Sequence, residues 1–185
     1  MNSIKICPWA LKSEDLRKYH DEEWGRISRD DNYLFEMLIL ESSQAGLSWD
    51  IILKKREGYR KAYKGFDVKK VADFTIVDYN KLVENKSIIR NKRKIKSSIE
   101  NAKIFLKVQE EFGSFYNYIW SFTDGVQIVS HYNTEDEVPS KSELSKKISM
   151  DMKKRGFKFV GPTIIYSYLQ SIGVINDHIE GCALK

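Results

Sequence analysis

The sequence predicts an all-α protein, and two observations support this prediction. Apolar residues recur at helical spacing along most of the chain, and short breaks at capping residues, glycine or proline separate the segments they define. The only run with the composition of a strand is 126–129. A single strand would have little to pair with, so we predict that this run is an extended loop.

Ser13 begins the first predicted helix, over about 13–20, because its hydroxyl can cap the helix and acidic residues fill the first turn. A strongly apolar stripe at helical spacing predicts a second helix over 31–43. A break at residues 45–47 follows. Ser48 then caps a third helix, which runs to about residue 63.

The later helices are bounded by the same local signals. Predicted helix starts lie at Asp67, Thr75, Asn91, Ser114, Ser142 and Pro162, and predicted stops at Gly113, Gly156 and Gly173. The segment 131–141 between two of these helices is a polar connection that contains Pro139.

The composition is that of an ordinary globular protein, with 42% hydrophobic and 31% charged residues in a chain of 185. We expect a single unit over 1–185, built as two closely packed helical subdomains. The net charge of +5 favours a polyanionic partner. Neither a signal peptide nor an apolar run of the roughly 18 residues that a membrane span needs is present. We therefore expect a cytoplasmic monomer without a membrane partner.

The stretch from Leu40 to Trp49 is the first candidate for a functional site. Glu41 is a lone carboxylate at the end of an apolar run, and a turn at Gly46 separates it from the indole of Trp49. A carboxylate, a tight turn and a large aromatic ring suit a pocket floor for a flat, nitrogen-rich ligand. The alternative is that Glu41 and Trp49 have only structural roles, as most such residues do.

Four of the five histidine and cysteine residues lie near the two ends of the chain, as Cys7 with His20 and His178 with Cys182. The i, i+4 spacing of His178 and Cys182 predicts that both lie on one face of a helical turn. Two thiolates and two imidazoles match the ligand set of a closed, structural zinc site. The alternative is two isolated core thiols and two surface histidines.

A short turn between two helical patterns carries dense positive charge. Against the single acid Glu100, residues 86–103 contain seven basic residues, namely Lys86, Arg90, Lys92, Arg93, Lys94, Lys96 and Lys103. Basic residues are unfavourable at a helix N-terminus unless an anion binds there, and the first-turn amides after an Asn91 cap would face such an anion. The pattern favours contact with DNA phosphates, and the alternative is a solvated charged face.

Short motifs spread over nearly the whole chain form a specific set. They include Tyr19-His20-Asp21, Trp24-Gly25, Leu40-Glu41, Gln44-Ala45-Gly46-Leu47-Ser48-Trp49, Ile88-Ile89-Arg90, Arg155-Gly156-Phe157 and Asn176-Asp177-His178. Together they resemble the 3-methyladenine DNA glycosylase I family of bacterial repair enzymes. The resemblance implies a helix-hairpin-helix architecture, with the hairpin at about 76–108. It also implies one structural zinc per chain, held by segments 7–20 and 178–182 through Cys7, His20, His178 and Cys182.

The resemblance further implies roles for individual residues. Glu41 would be the base-binding and catalytic-site carboxylate, and the pocket would be lined by Trp9, Tyr19, Trp24, Trp49 and Ser167. DNA would be contacted by Leu47 as the wedge in the base stack, by Gly46, and by Arg90, Lys92 and Arg93. Ser87 departs from the glycine usual at the hairpin, which predicts a less tight turn. No water-activating aspartate is carried over.

The implied function is base-excision repair of alkylated double-stranded DNA, with free 3-methyladenine as the product and no lyase activity. N3-methylation leaves the purine positively charged, so the base can depart without protonation once the nucleotide has been flipped out of the duplex. Water would then attack the sugar. Two alternatives remain, a damage-binding protein of the same fold without turnover and a zinc-stabilised DNA-binding module in which Glu41 is structural.

Overall fold

The structure, a computed structural model, describes residues 5–44 and 46–185. Ala45, which the sequence assigns to the break after the second helix, lies outside the described residues. The described part of the chain forms nine α-helices, α1 (Glu14–Glu22), α2 (Asp31–Gln44), α3 (Trp49–Ala62), α4 (Val68–Ala72), α5 (Ile76–Glu84), α6 (Lys92–Phe112), α7 (Phe115–Trp120), α8 (Glu143–Arg155) and α9 (Pro162–Ser171). The predicted all-α class is confirmed.

Most of the predicted helix boundaries are confirmed because they depend on local capping. Backbone amides in the first turn donate to the side chains of Ser13, Ser48, Asp67, Thr75, Asn91, Ser114 and Ser142. At the other ends, Gly113 and Gly156 adopt φ of 80° and 102°, the left-handed conformation that ends a helix.

The prediction for 126–129 is wrong in one respect. Ile128–Val129 forms a short strand, β1, which pairs in parallel with β2 at Ile175–Asn176. The amide of Ile128 donates to the carbonyl of Val174 at 2.9 Å, and Ser130 donates to Asn176 at 3.0 Å. The partner strand follows α9 and is fully buried, so its apolar residues are indistinguishable in sequence from core residues of a helix end.

Helix α2 lies at the centre of the protein. Every side chain from Leu34 to Ser43 is buried, and α2 packs against α3, α6, α7 and α9. A helix that is buried on all sides carries its last turn, with Glu41, into the interior. Within the described residues, every helix is too short or too polar to span a lipid bilayer.

An ion-pair network joins α1, α2 and α3. The guanidinium of Arg56 donates to Glu23 at 2.7 Å and to Glu36 at 2.5 Å, and Tyr33 donates its hydroxyl to Glu23 at 3.0 Å. Arg56 and Glu36 are both buried. The network therefore fixes these three helices relative to one another, and the same helices carry residues of the cleft described next.

Candidate active site and metal cluster

A cleft of about 650 Å³ opens between the short 3₁₀ helix at Pro8–Lys12 and helices α1, α2, α3 and α9. All six pocket residues that the sequence analysis names line it, namely Trp9, Tyr19, Trp24, Glu41, Trp49 and Ser167. A cleft of this volume accommodates one nucleobase with its sugar.

Aromatic rings form one continuous wall of the cleft. The ring of Trp9 lies 5.0 Å from that of Trp24 and 6.3 Å from that of Tyr19, and Tyr19 lies 5.4 Å from Trp49. The interplanar angles of 54–76° leave ring faces and edges directed at different parts of the cleft. Tyr19 and Trp24 are buried, so their positions are determined by packing rather than by solvent.

Glu41 lies in the last turn of α2 and is 4% exposed. Its carboxyl group forms no hydrogen bond or ion pair with any residue in 5–44 or 46–185. Burial raises the pKa of Glu41 to about 8, so the group is mainly protonated at neutral pH when the cleft is empty. A cation or a cluster of hydrogen-bond donors in the cleft would favour its ionised form.

Tyr19 is the buried phenol of this wall. Burial raises the pKa of Tyr19 well above its usual value, and Tyr33 and Glu41 raise it further at a pH high enough to ionise them. The phenol therefore remains neutral throughout the physiological range and presents an uncharged ring face to the cleft.

The sequence patterns assigned no role to several polar residues of the cleft, among them Glu135, Gln170 and Asp177. Asp177 is 1% exposed, and its Oδ2 accepts hydrogen bonds from Tyr166 at 2.5 Å and Gln170 at 2.7 Å. Its Oδ1 has no partner among the described residues. The available signal was the position of Asp177 beside a metal-ligand candidate in the Asn176-Asp177-His178 motif.

Glu135 lies in the segment that the sequence analysis treats as a polar connection. Its carboxylate accepts a hydrogen bond from the backbone amide of Trp9 at 2.9 Å. The contact spans 126 positions of the sequence. It joins the aromatic wall to the segment 131–141. A local sequence pattern cannot predict a contact between such distant positions.

The turn after α2 brings the predicted wedge beside the cleft. Gly46 has φ of 83°, a conformation that favours glycine, and the amide of Leu47 donates to the carbonyl of Gln44. Leu47 is 36% exposed, and its neighbours Gln44 and Ser48 both line the cleft. An apolar side chain therefore projects into solvent at the cleft margin.

The four predicted metal ligands converge. The donor atoms of Cys7, His20, His178 and Cys182 all lie within 4.8 Å of one another, and all four residues are buried. His178 Nδ1 lies 3.1 Å from His20 Nε2, 3.5 Å from Cys182 Sγ and 3.7 Å from Cys7 Sγ. Two sulfurs and two imidazole nitrogens around one point are the donor set of a structural zinc site.

One detail of the metal prediction is wrong. Residues 178–182 form a tight turn with Gly181 at φ 81°, and the amide of Cys182 donates to the carbonyl of Ile179. The i, i+4 spacing thus brings the two ligands together without a helical turn, because the positive φ of Gly181 reverses the chain.

Groups around the cluster orient its imidazoles. His20 Nδ1 lies 2.7 Å from a carboxylate oxygen of Asp21, and His178 Nε2 lies 3.1 Å from the carbonyl oxygen of Trp24. Such partners leave His20 Nε2 and His178 Nδ1 directed at the cluster centre. Burial lowers the pKa of His178 to about 4, which keeps it in the neutral form that binds metals.

The cluster of Cys7, His20, His178 and Cys182 also supports the cleft wall. The ring of Trp9 lies 5.3 Å from His20, and the ring of Trp24 lies 4.7 Å from His178. The same two indoles therefore contact the cluster on one side and line the cleft on the other.

Helices α5 and α6 form the predicted basic hairpin. Arg90, Lys92 and Arg93 are exposed, and none of them forms an ion pair with a described residue. The side chain of Asn91 accepts from the amides of Arg93 and Lys94, each at 3.1 Å. Three uncompensated cations and a helix N-terminus therefore face solvent together.

Ser87, the departure from the usual hairpin glycine, fits the turn. It is not among the residues with positive φ, so the position does not need glycine. Its amide and hydroxyl both donate to the side chain of Asn85, at 2.9 and 2.6 Å. The side chain of Asn85 closes this turn, and the expectation that it is less tight than a turn with glycine stays a prediction.

A helical fold that sets an aromatic, carboxylate-bearing cleft beside a basic hairpin defines a protein of the DNA glycosylase class. The model of the methyladenine glycosylase family matches residues 9–185. The chain belongs to the methyladenine glycosylase family, and it is a glycosylase.

Named relatives resemble it over nearly their full length. It is 43% identical over 179 residues to DNA-3-methyladenine glycosylase 1 of Escherichia coli (strain K12), which covers 97% of this chain and 96% of the relative. It is 41% identical to DNA-3-methyladenine glycosylase of Haemophilus influenzae, with 97% of each chain covered. The structure of 3-methyladenine DNA glycosylase I from Staphylococcus aureus, solved to explain 3-methyladenine recognition, matches with a TM-score of 0.93 at 32% identity. It covers 98% of this chain and 97% of that one.

Proposed function

We propose that this glycosylase removes 3-methyladenine from alkylated double-stranded DNA by hydrolysing the N-glycosidic bond, and that it has no lyase activity. The observation that carries the proposal is the buried carboxyl group of Glu41, which lies inside an aromatic cleft and has no partner among the described residues. A neutral base does not require a charge there, whereas a base with a formal positive charge does.

Recognition of the cationic base follows from the cleft wall. Tyr19 and Trp49 stack on the base, and cation–π attraction favours the charged form by about 0.5–2 kcal/mol. Trp9, Trp24 and Ser167 complete the pocket. Glu41 accepts hydrogen bonds from the amino edge of the adenine and becomes ionised as the cation enters, because the positive charge offsets the burial that keeps it protonated.

Bond cleavage needs little further help from the protein. The methylated purine leaves as a neutral molecule, so the bonding electrons neutralise its charge and no proton has to be delivered to it. Water then adds to the sugar cation and loses a proton to solvent. The ionised Glu41 acts here by holding the base and by compensating positive charge in a site with little water.

Extrusion of the nucleotide is assigned to the two solvent-exposed features beside the cleft. Leu47, on the turn at Gly46, fills the space vacated in the base stack. Arg90, Lys92 and Arg93 hold phosphates on the DNA backbone, and the positive end of the α6 helix dipole adds to their attraction for an anion. These contacts are independent of base sequence, as a repair enzyme that scans a genome requires.

We also propose that Cys7, His20, His178 and Cys182 hold one zinc ion per chain. The zinc neutralises two buried thiolates and leaves no open coordination position, so its contribution is structural. Two buried cysteines that are not joined by a disulfide suit a reducing compartment, which supports a cytoplasmic location. We propose that the protein acts as a monomer.

Glu41→Gln is expected to weaken binding of free 3-methyladenine by about 1–3 kcal/mol, the cost of leaving a buried donor of the base edge without its acceptor. Release of the base from methylated duplex DNA should slow but persist, because the departing base does not wait for a proton. Calorimetric titration with the base and single-turnover excision measure the two effects. Glu143→Gln, at a fully solvated glutamate, is the matched control.

The outcomes also discriminate the alternatives. A Glu41→Gln protein that binds the base normally yet releases none would make Glu41 a general base. Wild-type protein that binds methylated duplex but never releases free base would be a damage-binding protein without turnover. A variant unchanged in both measurements would mean that Glu41 has only a structural role.

The same substitution should change the pH dependence of stability. The folded-state pKa of Glu41, about 8, lies above its ordinary value of 4.5, so the wild type loses stability as the pH rises from about 4.5 to about 8, where the unfolded chain has released the proton and the folded protein still holds it. The Gln variant lacks this loss, so its stability relative to the wild type should rise over the same pH range. Urea titrations at a series of pH values test the sign, and a reversed slope would contradict the assigned burial.

Arg90→Ala is expected to weaken binding to all duplexes alike and to reduce the slope of log K against log salt by about 1. Arg29→Ala is the control, because Arg29 is an exposed arginine before the opposite end of α2. Fluorescence anisotropy over a salt titration provides the slopes. An unchanged slope for Arg90→Ala would make the basic hairpin a solvated charged face.

A further inference from the structure

Lys94 differs from the other basic residues at the N-terminus of α6. Arg90, Lys92 and Arg93 point into solvent, whereas Lys94 is half-buried and its ammonium group donates to the backbone carbonyl of Ser43 at 2.8 Å. Burial lowers the pKa of Lys94, as expected for an ammonium group held inside the protein. The side chain is therefore directed at α2 and away from the surface that DNA would approach.

The carbonyl that Lys94 contacts belongs to the last turn of α2. The last four carbonyls of a helix lack partners within the helix, and the C-terminal end of the helix dipole attracts a cation. Lys94 satisfies both requirements at Ser43. The next carbonyl, that of Gln44, accepts instead from Leu47. The two contacts together define how α2 ends and how the turn with Leu47 leaves it.

Lys94 also belongs to the N-terminal cap of α6, because its backbone amide donates to the side chain of Asn91. One residue thus joins the hairpin cap, through its backbone, to the end of α2, through its side chain. Ser43 lies two residues after Glu41 and four before Leu47. A movement of the hairpin on DNA is transmitted by this link to both the wedge and the recognition carboxyl group.

We propose that Lys94 is a positioning residue that couples the hairpin's grip on DNA to the placement of the Gly46–Leu47 turn, and so sets the equilibrium for nucleotide extrusion. This inference rests on the proposed glycosylase function. In sequence Lys94 lies among the proposed phosphate contacts, but in this proposal it has a different role.

Lys94→Met removes the ammonium group and keeps most of the apolar stem, so the fold should be retained. Extrusion is costly when the target base is paired and much less so when it has no partner. We expect single-turnover release of 3-methyladenine to fall about tenfold when the base lies opposite thymine, the change that corresponds to one charged hydrogen bond. Release should be little changed when the base lies opposite an abasic site.

Two further measurements exclude other roles. The salt slope of duplex binding and the affinity for free 3-methyladenine should both remain at wild-type values, and Lys94→Arg should recover part of the loss. Lys107→Met, at an exposed lysine further along α6, is the control. Melting curves verify that both variants are folded.

Each contrary outcome has a distinct meaning. A salt slope reduced by about 1 would make Lys94 a phosphate contact and overturn the coupling. Equal losses on paired and unpaired substrates, or an unchanged rate on both, would also overturn it. Wild-type protein that releases no base from either substrate would instead overturn the proposed function.

Discussion

Removal of the proposed zinc ion is expected to abolish the cooperative unfolding transition of the native protein or to move it to a much lower temperature. Structural zinc sites bind with about 10–16 kcal/mol near neutral pH, which is comparable to the whole stability of a domain of roughly 5–15 kcal/mol. Here Cys7 and His20 come from one end of the chain, and His178 and Cys182 from the other. Loss of the ion leaves two thiols and two imidazoles buried without a partner. It also removes the link that closes the chain between its two ends.

Metal analysis should find about one zinc per chain, and Cys182→Ser should lose it. Calorimetry before and after treatment with a strong chelator measures the change in stability, and added zinc should restore the transition. His131→Asn is the control, because His131 is exposed and outside the cluster. Native protein without zinc, or Cys182→Ser with unchanged metal content, would contradict the assigned site.

Because Trp9 and Trp24 pack on the cluster, loss of the metal should also impair base binding. The effect should precede global unfolding, since the wall needs only a small displacement to lose its stacking geometry. Tryptophan fluorescence during stepwise chelation would report this displacement. A wall that stays in place until the whole protein unfolds would show that packing alone maintains it.

Arg56→Met is expected to lower the free energy of unfolding by about 3–5 kcal/mol, the range for breaking a buried ion pair from one side. The substitution leaves the carboxylate of Glu23 without a cation and that of Glu36 with only the half-exposed Arg60, while most of the aliphatic volume is kept. The affected helices carry Tyr19, Glu41 and Trp49, so base binding should weaken as well. Urea unfolding monitored by circular dichroism gives the free energy.

The double variant Arg56→Met with Glu36→Gln should recover part of the loss, because one stranded charge is removed. Lys70→Met is the control, since it breaks an ion pair with Asp67 that is largely exposed and should change stability by less than about 1 kcal/mol. Equal effects for Arg56→Met and Lys70→Met would mean that the network contributes no more than a surface pair.

The sequence by itself determined the features that depend on neighbouring residues or on rare side chains. Helix starts at Ser13, Thr75 and Asn91 were predictable because a cap bonds amides two or three residues away. The metal cluster was predictable in composition, since thiols and imidazoles are few and both pairs lie near the ends of the chain. The aromatic pocket followed from motifs that were matched as a set.

Only the tertiary structure decided which side chains are exposed to water and which are buried. Lys92 and Lys94 are equivalent in a sequence pattern, yet one is exposed and the other bonds the end of α2. Strand β2 was not predictable because its partner strand lies on a distant segment of the chain. The raised pKa of Glu41 likewise depends on burial by four surrounding helices. Burial depends on which helices and strands pack together. The spacing of residues within one element does not predict its packing partners.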